Sequence, residues 1–360
     1  MNKPKIRFLI TAVLLVFFLT GAGMVTYSYG PTGFPPGINP LTGLPVANIN
    51  LLERRPFAVK VTNFPRNVRP QWGLSLADHV YEYYIGDNMT RFIGIFYGND
   101  ADRVGPVRSA RLFDEHVMRM YKAYFVFGYA DVRVRDELFD DDLIPYLVFE
   151  TPTNCPPICR YDNGLSYNNL FLDTAGLTKF YAERGRQNSR QPLDGLVFDF
   201  SIPAGGQAGE KFGIYFTFLS YNRWEYDLKS GRYLRYQETE SDRGSGLQYA
   251  PLIDALSSQQ ISASNVVILR VPHEIYYQSS STLIWDMPLG KRGTGYAFRD
   301  GKIYPLIWSH ASSDQLLTLS TPAGEPYPLK PGNVWYEIID IGSQFSFHSD
   351  GSWYFTTSIP

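Results

Sequence analysis

The residues best suited to chemistry are three arginines and a serine in the first third of the chain. Arg91 begins an apolar run of strand-forming residues, whereas Arg108, Ser109 and Arg111 follow a Gly-Pro turn and enter a predicted helix over residues 110–121. The start of a helix carries unpaired N–H groups and a partial positive charge, and guanidinium groups bind phosphate or carboxylate oxygens in pairs. The sequence therefore predicts an anion site, with Arg108 and Arg111 on one side of the first helical turn.

The alternative is a structural network in which these arginines pair with acids that are close in the sequence. The acids available are Asp78, Glu82, Asp87, Asp102 and Asp114. Buried arginine–carboxylate pairs are a common structural device. If a carboxylate lies beside the arginines instead, it can act as a general base, and the candidates for that role are Asp78, Glu82 and Asp131.

Other polar residues predict smaller features. Asn169 lies in a turn-rich segment. It either binds a sugar or a carbonyl group through hydrogen bonds of its side-chain amide or only forms a turn. Cys155 and Cys159 predict a disulfide across a short loop, with a metal pair or two buried thiols as alternatives. The run of three aspartates at residues 140–142 predicts a solvated loop, although such acids also bind divalent cations. We predict no cofactor, and a divalent cation stays open.

The sequence contains no HExxH, GxSxG, Walker A or GxGxxG motif, so a metalloprotease, a serine hydrolase and a nucleotide-binding site of those types are not predicted. The 33 basic and 35 acidic residues leave a net charge of -2 without a long run of one sign. A protein that coats nucleic acid needs a concentrated basic surface, so nucleic acid is excluded as a partner.

Charge is missing from residue 8 to residue 52, where no Asp, Glu, Lys or Arg occurs. The apolar first part, residues 8–29, is long enough to cross a membrane as a helix, and the basic residues before it predict a cytoplasmic N-terminus. A cleaved signal peptide is the alternative. The second part is rich in Pro and Gly and predicts a spacer whose apolar residues pack on the folded part.

The fold class predicted is α+β, with a mixed sheet in an N-terminal α/β domain and mostly antiparallel strands after it, although both parts can share one sheet. The predicted segments are a cytoplasmic tail (1–7), a transmembrane anchor or signal segment (8–29), a spacer (30–54), the α/β domain (55–190), the β-rich domain (191–345) and a tail (346–360).

Several blocks of residues resemble the bacterial DUF3048 family of YerB-like lipoproteins. In the N-terminal half they are 55–59 (RPFAV), 69–74 (RPQWGL), 77–82 (ADHVYE), 90–92 (TRF) and 105–111 (GPVRSAR), and in the C-terminal half 264–267 (SNVV) and 293–302 (GTGYAFRDGK). Two departures stand out. This chain has Asn168-Asn169 where family members often have His-Asn, and it lacks the lipobox cysteine of the lipoprotein members.

The resemblance implies an extracytoplasmic envelope protein with two consecutive domains and no established activity. Together with the arginines, it predicts a membrane-anchored protein that binds an anionic, phosphate-bearing cell-wall glycan or lipid-linked ligand. Whether the protein catalyses a reaction is left open. The alternative is a module that binds other envelope proteins and whose arginines are structural.

Overall fold

The computed structural model describes residues 33–162, 164–242 and 246–359. Within them the chain is mostly β-strand, and its three α-helices are α1 (Phe113–Tyr121), α2 (Val132–Leu138) and α3 (Thr174–Glu183). The 3-10 helices of this part are Ile49–Glu53, Arg66–Val68, Leu74–Leu76 and Ile144–Tyr146. The predicted mixed and antiparallel sheets are confirmed, but the helical content is lower than an α/β domain implies.

The strands of the N-terminal half alternate with these helices. They are β1 (Phe57–Thr62), β2 (His79–Gly86), β3 (Met89–Phe96), β4 (Tyr124–Phe127), β5 (Leu147–Phe149), β6 (Ile158–Arg160) and β7 (Leu170–Leu172). The strands β1 to β3 form where the sequence alternates or runs apolar, because β-branched and aromatic side chains suit a buried sheet.

Among its described residues, the C-terminal half contains strands and no α-helix. They are β8 (Val197–Phe198), β9 (Gln207–Ala208), β10 (Lys211–Tyr215), β11 (Tyr221–Asp227), β12 (Arg232–Glu238), β13 (Tyr249–Pro251), β14 (Ser262–Ala263), β15 (Asn265–Arg270), β16 (Glu274–Gln278), β17 (Leu283–Asp286), β18 (Arg292–Arg299), β19 (Lys302–Ser309), β20 (Thr318–Ser320), β21 (Pro328–Leu329), β22 (Val334–Ile339), β23 (Gln344–Phe347) and β24 (Ser352–Thr356).

One large mixed sheet joins the two halves of the chain. Its strand order is β20-β19-β18-β15-β22-β2-β3-β1-β4-β5, with β9 paired to β19. The joint is the parallel pairing of β22 with β2, in which Glu337 stands opposite Glu82. The predicted boundary near residue 190 is therefore crossed by a continuous sheet.

A second sheet, in the order β13-β12-β11-β10-β24-β23, covers one face of the large sheet. Aromatic rings fill the space between the two sheets, and the centroids of Trp224 and Trp335 are 5.3 Å apart. On the opposite face, α1 packs on β2, where the centroids of Tyr81 and Tyr121 are 6.1 Å apart. The large sheet is therefore covered on both faces, which explains why its central strands are buried throughout.

Residues 33–54, the described part of the predicted spacer, belong to the folded body. The side chains of Leu41 and Leu52 are 0% exposed, and Asn39 Nδ2 donates to Asp78 Oδ1 at 2.8 Å. The prediction that its apolar residues pack on the fold is confirmed. Burial of two leucines stabilises this attachment by several kcal/mol, at roughly 1.5–3 kcal/mol each.

Among the described residues, no helix combines the length and the apolar character needed to span a membrane. The segment predicted to do so, residues 8–29, lies outside the described part of the chain.

Candidate anion-binding site

The segment at residues 104–110 places the predicted site residues. It is extended and lies beside β1, because the Arg108 N–H donates to the Lys60 carbonyl at 3.0 Å. On its other side, the Arg108 carbonyl accepts from the Gly128 N–H, also at 3.0 Å. The segment is thus held by main-chain bonds on both edges, and Arg108 has a defined backbone position.

The helix after this segment starts later than the sequence predicts. It begins at Phe113, so Arg108 and Arg111 precede it and do not lie on its first turn. The side chain of Asp114 reaches back and accepts from the Arg111 N–H at 2.7 Å, in the manner of a capping box. Asp114 and Glu115 place negative charge in the first turn, which is unfavourable for an anion at the helix start itself.

Below the segment, one face of the large sheet carries a buried polar group. In the strand register Tyr83 and Thr62 both stand opposite Arg91, so Tyr83, Arg91 and Lys60 share a face. Lys60 Nζ donates to Asp114 Oδ1 at 2.8 Å and also contacts the Tyr83 hydroxyl, which donates to the same carboxylate. Both side chains of the Lys60–Asp114 ion pair are 0% exposed.

Burial dominates the electrostatics of this group. It lowers the pKa of Lys60 to about 7; Asp114 opposes the shift, whereas Arg91 and Arg111 add to it. Burial and then the Asp114 charge raise the pKa of Tyr83 well above its usual value. The Asp114 carboxylate is therefore the counter-ion of Lys60, and it is already shared with the Tyr83 hydroxyl.

Three guanidinium groups converge above this pair, and we call Arg91, Arg108 and Arg111 the arginine cluster. Each donates to a main-chain carbonyl: Arg91 to Ser109 at 2.6 Å, Arg108 to Tyr167 at 3.1 Å and Arg111 to Ala110 at 2.8 Å. Within the described ranges, no carboxylate lies within 4.0 Å of any of the three. The cluster is thus a concentration of positive charge without ion pairs in this part of the protein.

The members of the arginine cluster are close enough to repel one another. Arg91 is 6% exposed, and its pKa is well below the usual value because of burial and then the charges of Arg111 and Arg108. The pKa of Arg108 is lowered by burial and then by Arg111 and Arg160. The Arg108 Nε atom is buried without a hydrogen-bond partner among the described residues. Such an arrangement favours the binding of an anion, which would offset both the burial and the repulsion.

The acids that were expected to neutralise the arginines have other partners. Asp78 Oδ2 accepts from the Tyr97 and Gly98 N–H groups at 2.7 and 2.8 Å, and burial raises its pKa to about 6. Glu82 lies on the opposite face of β2 from Tyr83 and pairs with Arg235 at 2.5 Å. Neither Asp78 nor Glu82 therefore pairs with a member of the arginine cluster.

The three candidate bases do not gather at the cluster. Asp78 precedes Tyr83 by five residues of extended chain, a distance of about 17 Å. Glu82 faces the second sheet, where it shares Arg235 with Glu337. Asp131 caps α2 by accepting from the Arg133 N–H at 3.0 Å.

Asn169 lies at the edge of the arginine cluster, to which Arg160 connects it. Arg160 Nη1 donates to Asn169 Oδ1 at 2.8 Å and its Nη2 pairs with Glu150 at 2.6 Å. Arg160 follows directly on Cys159, which forms a disulfide with Cys155 at an S–S distance of 2.10 Å. The short disulfide loop therefore carries a residue that connects Asn169 with the arginine cluster.

Lys60 and Tyr83 are members of the site that the sequence analysis did not single out. The signal for Lys60 is a single charge inside an apolar strand, since all six residues of β1 are buried. Tyr83 gives no signal of its own, because tyrosines are common in buried strands.

No group of three or more His, Cys, Asp or Glu side chains is placed to hold a metal ion in the part of the chain that the structure describes. Of the three consecutive aspartates, Asp142 binds Arg119 at 2.6 Å. The divalent cation stays a prediction.

Comparison with known proteins identifies the family. A model of the N-terminal domain of the DUF3048 family, described as a protein of unknown function, matches residues 41–187, and a model of its C-terminal domain matches residues 214–336. The chain belongs to the DUF3048 family. The arginine cluster, together with Lys60 and Tyr83, lies in the part matched by the N-terminal model of DUF3048.

A relative from Bacillus subtilis (strain 168) matches most of this chain. It is named "Putative lipoprotein YerB" and is 27% identical over 315 residues, which cover 83% of this chain and 85% of the relative. The crystal structure of the YerB protein from Bacillus subtilis superposes with a TM-score of 0.68 at 25% identity, covering 84% of this chain and 97% of that one. The fold of this DUF3048 protein is thus similar to that of a solved structure over most of its length.

Proposed function

We propose that this protein is a cell-envelope protein that binds an anionic, phosphate-bearing group at the arginine cluster. The observation that carries the proposal is the convergence of Arg91, Arg108 and Arg111 without a carboxylate partner among the described residues. Bringing cations together in a partly buried site costs free energy, and a bound dianion offsets that cost. Phosphate matches the geometry, since guanidinium groups donate two parallel bonds to its oxygens.

Lys60 and Asp114 shape the site from below. Asp114 accepts from the Arg111 N–H at 2.7 Å, and the Lys60 carbonyl accepts from the Arg108 N–H at 3.0 Å. Two of the three arginines are therefore held by residues of the buried pair. Such support reduces the conformational entropy that the arginines lose when an anion binds.

Three observations support a location in the cell envelope. The Bacillus subtilis relative carries the name "Putative lipoprotein YerB", and this chain has an apolar segment at residues 8–29 that suits a membrane anchor with a cytoplasmic N-terminus. The Cys155–Cys159 disulfide suits an oxidising compartment outside the cytoplasm. The anionic ligand is then a cell-wall glycan or a lipid-linked molecule, and the cell membrane itself is the second partner.

The proposal is for binding. Asp78, Glu82 and Asp131 each have partners away from the arginines, so none of these three supplies a general base to a phosphate held there. A transfer or hydrolysis reaction would need a base from the ligand or from another residue.

A second function, docking of another envelope protein, is favoured by one feature of the second sheet. The strand β23 ends that sheet and all four of its residues are exposed, including Phe345 at 45% and Phe347 at 55%. An exposed edge strand with apolar side chains can pair with a strand of a partner.

Substitution of single arginines tests the proposal. The variants Arg108→Ala and Arg111→Ala are compared with the matched control Arg133→Ala, whose guanidinium binds Asp131 at 3.1 Å. We expect each cluster variant to lose about tenfold in affinity for inorganic phosphate and pyrophosphate, the effect of one charge-assisted hydrogen bond. Isothermal titration calorimetry on the full chain in detergent measures it, and the control should bind like the wild type.

Stability measurements distinguish a ligand site from a structural one. Because the arginines repel one another, their removal should leave the free energy of unfolding unchanged or raise it slightly. A cluster variant that loses stability but keeps its phosphate affinity would assign the arginines a structural role.

Native mass spectrometry of the full chain from envelope extract adds the ligand's identity: a phosphorylated glycan or lipid that disappears in Arg108→Ala supports the proposal, whereas a protein alone favours docking at β23.

A further inference from the structure

Two strongly exposed tyrosines flank the arginine cluster. Tyr129 is 68% exposed and Tyr167 is 78% exposed. Their main chains contact the cluster segment: the Tyr129 carbonyl accepts from the Ala110 N–H at 2.7 Å, and the Tyr167 carbonyl accepts from Arg108 Nη1 at 3.1 Å. Among the described residues, neither ring packs against another aromatic ring and neither hydroxyl makes a hydrogen bond.

Tyr129 and Tyr167 are exposed aromatic residues that the fold places beside the same charged cluster. Burial of an aromatic ring contributes strongly to stability, and large apolar side chains that stay in solvent often mark a binding surface when they group together. Tyr129 and Tyr167 lie far apart in the sequence, yet the fold brings both main chains to the segment that carries Arg108. Their common position suits contact with one ligand.

The backbone of Tyr167 strengthens this argument. Its φ angle is +62°, in the left-handed region that glycine and asparagine adopt more easily than an aromatic residue. A bulky residue at such a position costs free energy, and strained residues of this kind cluster at ligand sites. The fold therefore maintains an exposed ring in an unfavourable backbone conformation directly beside Arg108.

Asn169 adds a hydrogen-bond donor at the same edge. Its Oδ1 accepts from Arg160 at 2.8 Å, whereas its Nδ2 has no partner among the described residues. A side-chain amide with one group fixed and the other open can donate to a hydroxyl group of a ligand.

We infer that the arginine cluster, Tyr129 and Tyr167 together bind a glycosyl phosphate. The phosphate binds the guanidinium groups and the hexose ring packs on the tyrosines, whose flat apolar faces and polar hydroxyls match the C–H face and the hydroxyl rim of a sugar. This inference rests on the proposed phosphate binding and specifies its ligand class.

The test compares three ligands by isothermal titration calorimetry on the full chain in detergent. Glucose 1-phosphate carries both groups, inorganic phosphate lacks the sugar, and glycerol 3-phosphate represents a lipid headgroup. The variants are Tyr129→Ala and Tyr167→Asn, because asparagine tolerates the left-handed backbone and so removes the ring without added strain. The control is Phe347→Ala, an exposed aromatic residue in the second sheet.

We expect the wild type to bind glucose 1-phosphate roughly three- to tenfold more tightly than either other ligand, the preference that a small apolar contact carries. Each tyrosine variant should lose that preference but keep its affinity for inorganic phosphate, and Phe347→Ala should keep both. Equal wild-type affinities for all three ligands would overturn the glycosyl assignment and leave phosphate binding intact. So would tyrosine variants that weaken all ligands equally. If the wild type binds none of them, the proposed function itself fails.

Discussion

Lys60 offers a measurable test of the electrostatics beneath the arginine cluster. Burial and two nearby guanidinium groups lower its pKa from 10.5 to about 7, against the opposing charge of Asp114. In the unfolded chain Lys60 returns to its ordinary pKa. Between pH 7 and 10.5 the unfolded state therefore binds the proton more tightly than the folded state, so the free energy of unfolding contributed by Lys60 rises with pH through that window.

The magnitude follows from the pKa difference. One pKa unit corresponds to about 1.4 kcal/mol, and a pKa of about 7 in the folded state gives a gain of about 2 kcal/mol between pH 7 and pH 9. Replacement by methionine keeps most of the side-chain volume and removes the titrating group. We expect the wild type to gain this stability relative to Lys60→Met.

Urea unfolding of the full chain in detergent at pH 7, 8 and 9, followed by tryptophan fluorescence, measures the gain. The matched control is Lys179→Met, because the side chain of Lys179 is 80% exposed and should show no such window. Other buried groups, such as Glu337, titrate in both chains, so the difference between wild type and variant isolates Lys60. Parallel stability curves over pH 7 to 9 would show that Lys60 stays charged with Asp114, and would refute the reasoning.

Two further predictions concern buried parts of the fold. Burial and then the Glu82 charge raise the pKa of Glu337 from 4.5 to about 8. At pH 6 its carboxyl is therefore neutral in the folded state and ionised in the unfolded chain, so Glu337→Gln, which removes the titrating group, should raise the free energy of unfolding by about 2 kcal/mol. Arg235→Met leaves Glu82 without its cation and should cost about 3–5 kcal/mol in the same urea measurement; equal losses in both variants would contradict the assigned charges. Leu41 is 0% exposed, so Leu41→Ala should cost about 2–5 kcal/mol, whereas the half-exposed Ile49→Ala should be nearly neutral; a neutral Leu41→Ala would mean that residues 33–54 are detached.

Much of the strand content could be predicted because it is a local property. The alternating run at residues 56–63 becomes β1 (Phe57–Thr62), and the run at residues 79–85 becomes β2 (His79–Gly86). A period of two is set by the geometry of extended chain and can be read without knowing the partner strand. The family resemblance, which rests on short blocks of residues, is likewise contained in the sequence.

Helix starts and strand partners were harder to predict because they depend on distant or competing contacts. The apolar pattern predicted that the first helix begins at Ala110. The main chain at Ala110 instead forms a hydrogen bond with Tyr129, and the helix begins at Phe113. The pairing of β2 with β22 joins Tyr83 to Ile338, residues from opposite ends of the chain. Many strands of similar composition could pair with β2. The order of the strands in the sheet is therefore decided by the packing of the whole protein.

For the arginine cluster, too, part of the arrangement follows from the sequence and part only from the tertiary structure. The sequence alone determined that Arg91, Arg108 and Arg111 are close along the chain and that acids lie near them. Only the tertiary structure decided that Glu82 points to the second sheet while its neighbour Tyr83 faces the arginines. Successive side chains of a strand point to opposite faces, and pairing with β22 and β3 determines which face each one meets. Sheet pairing thus turned Glu82 away from the arginines, although it is adjacent in the sequence to Tyr83, which faces them.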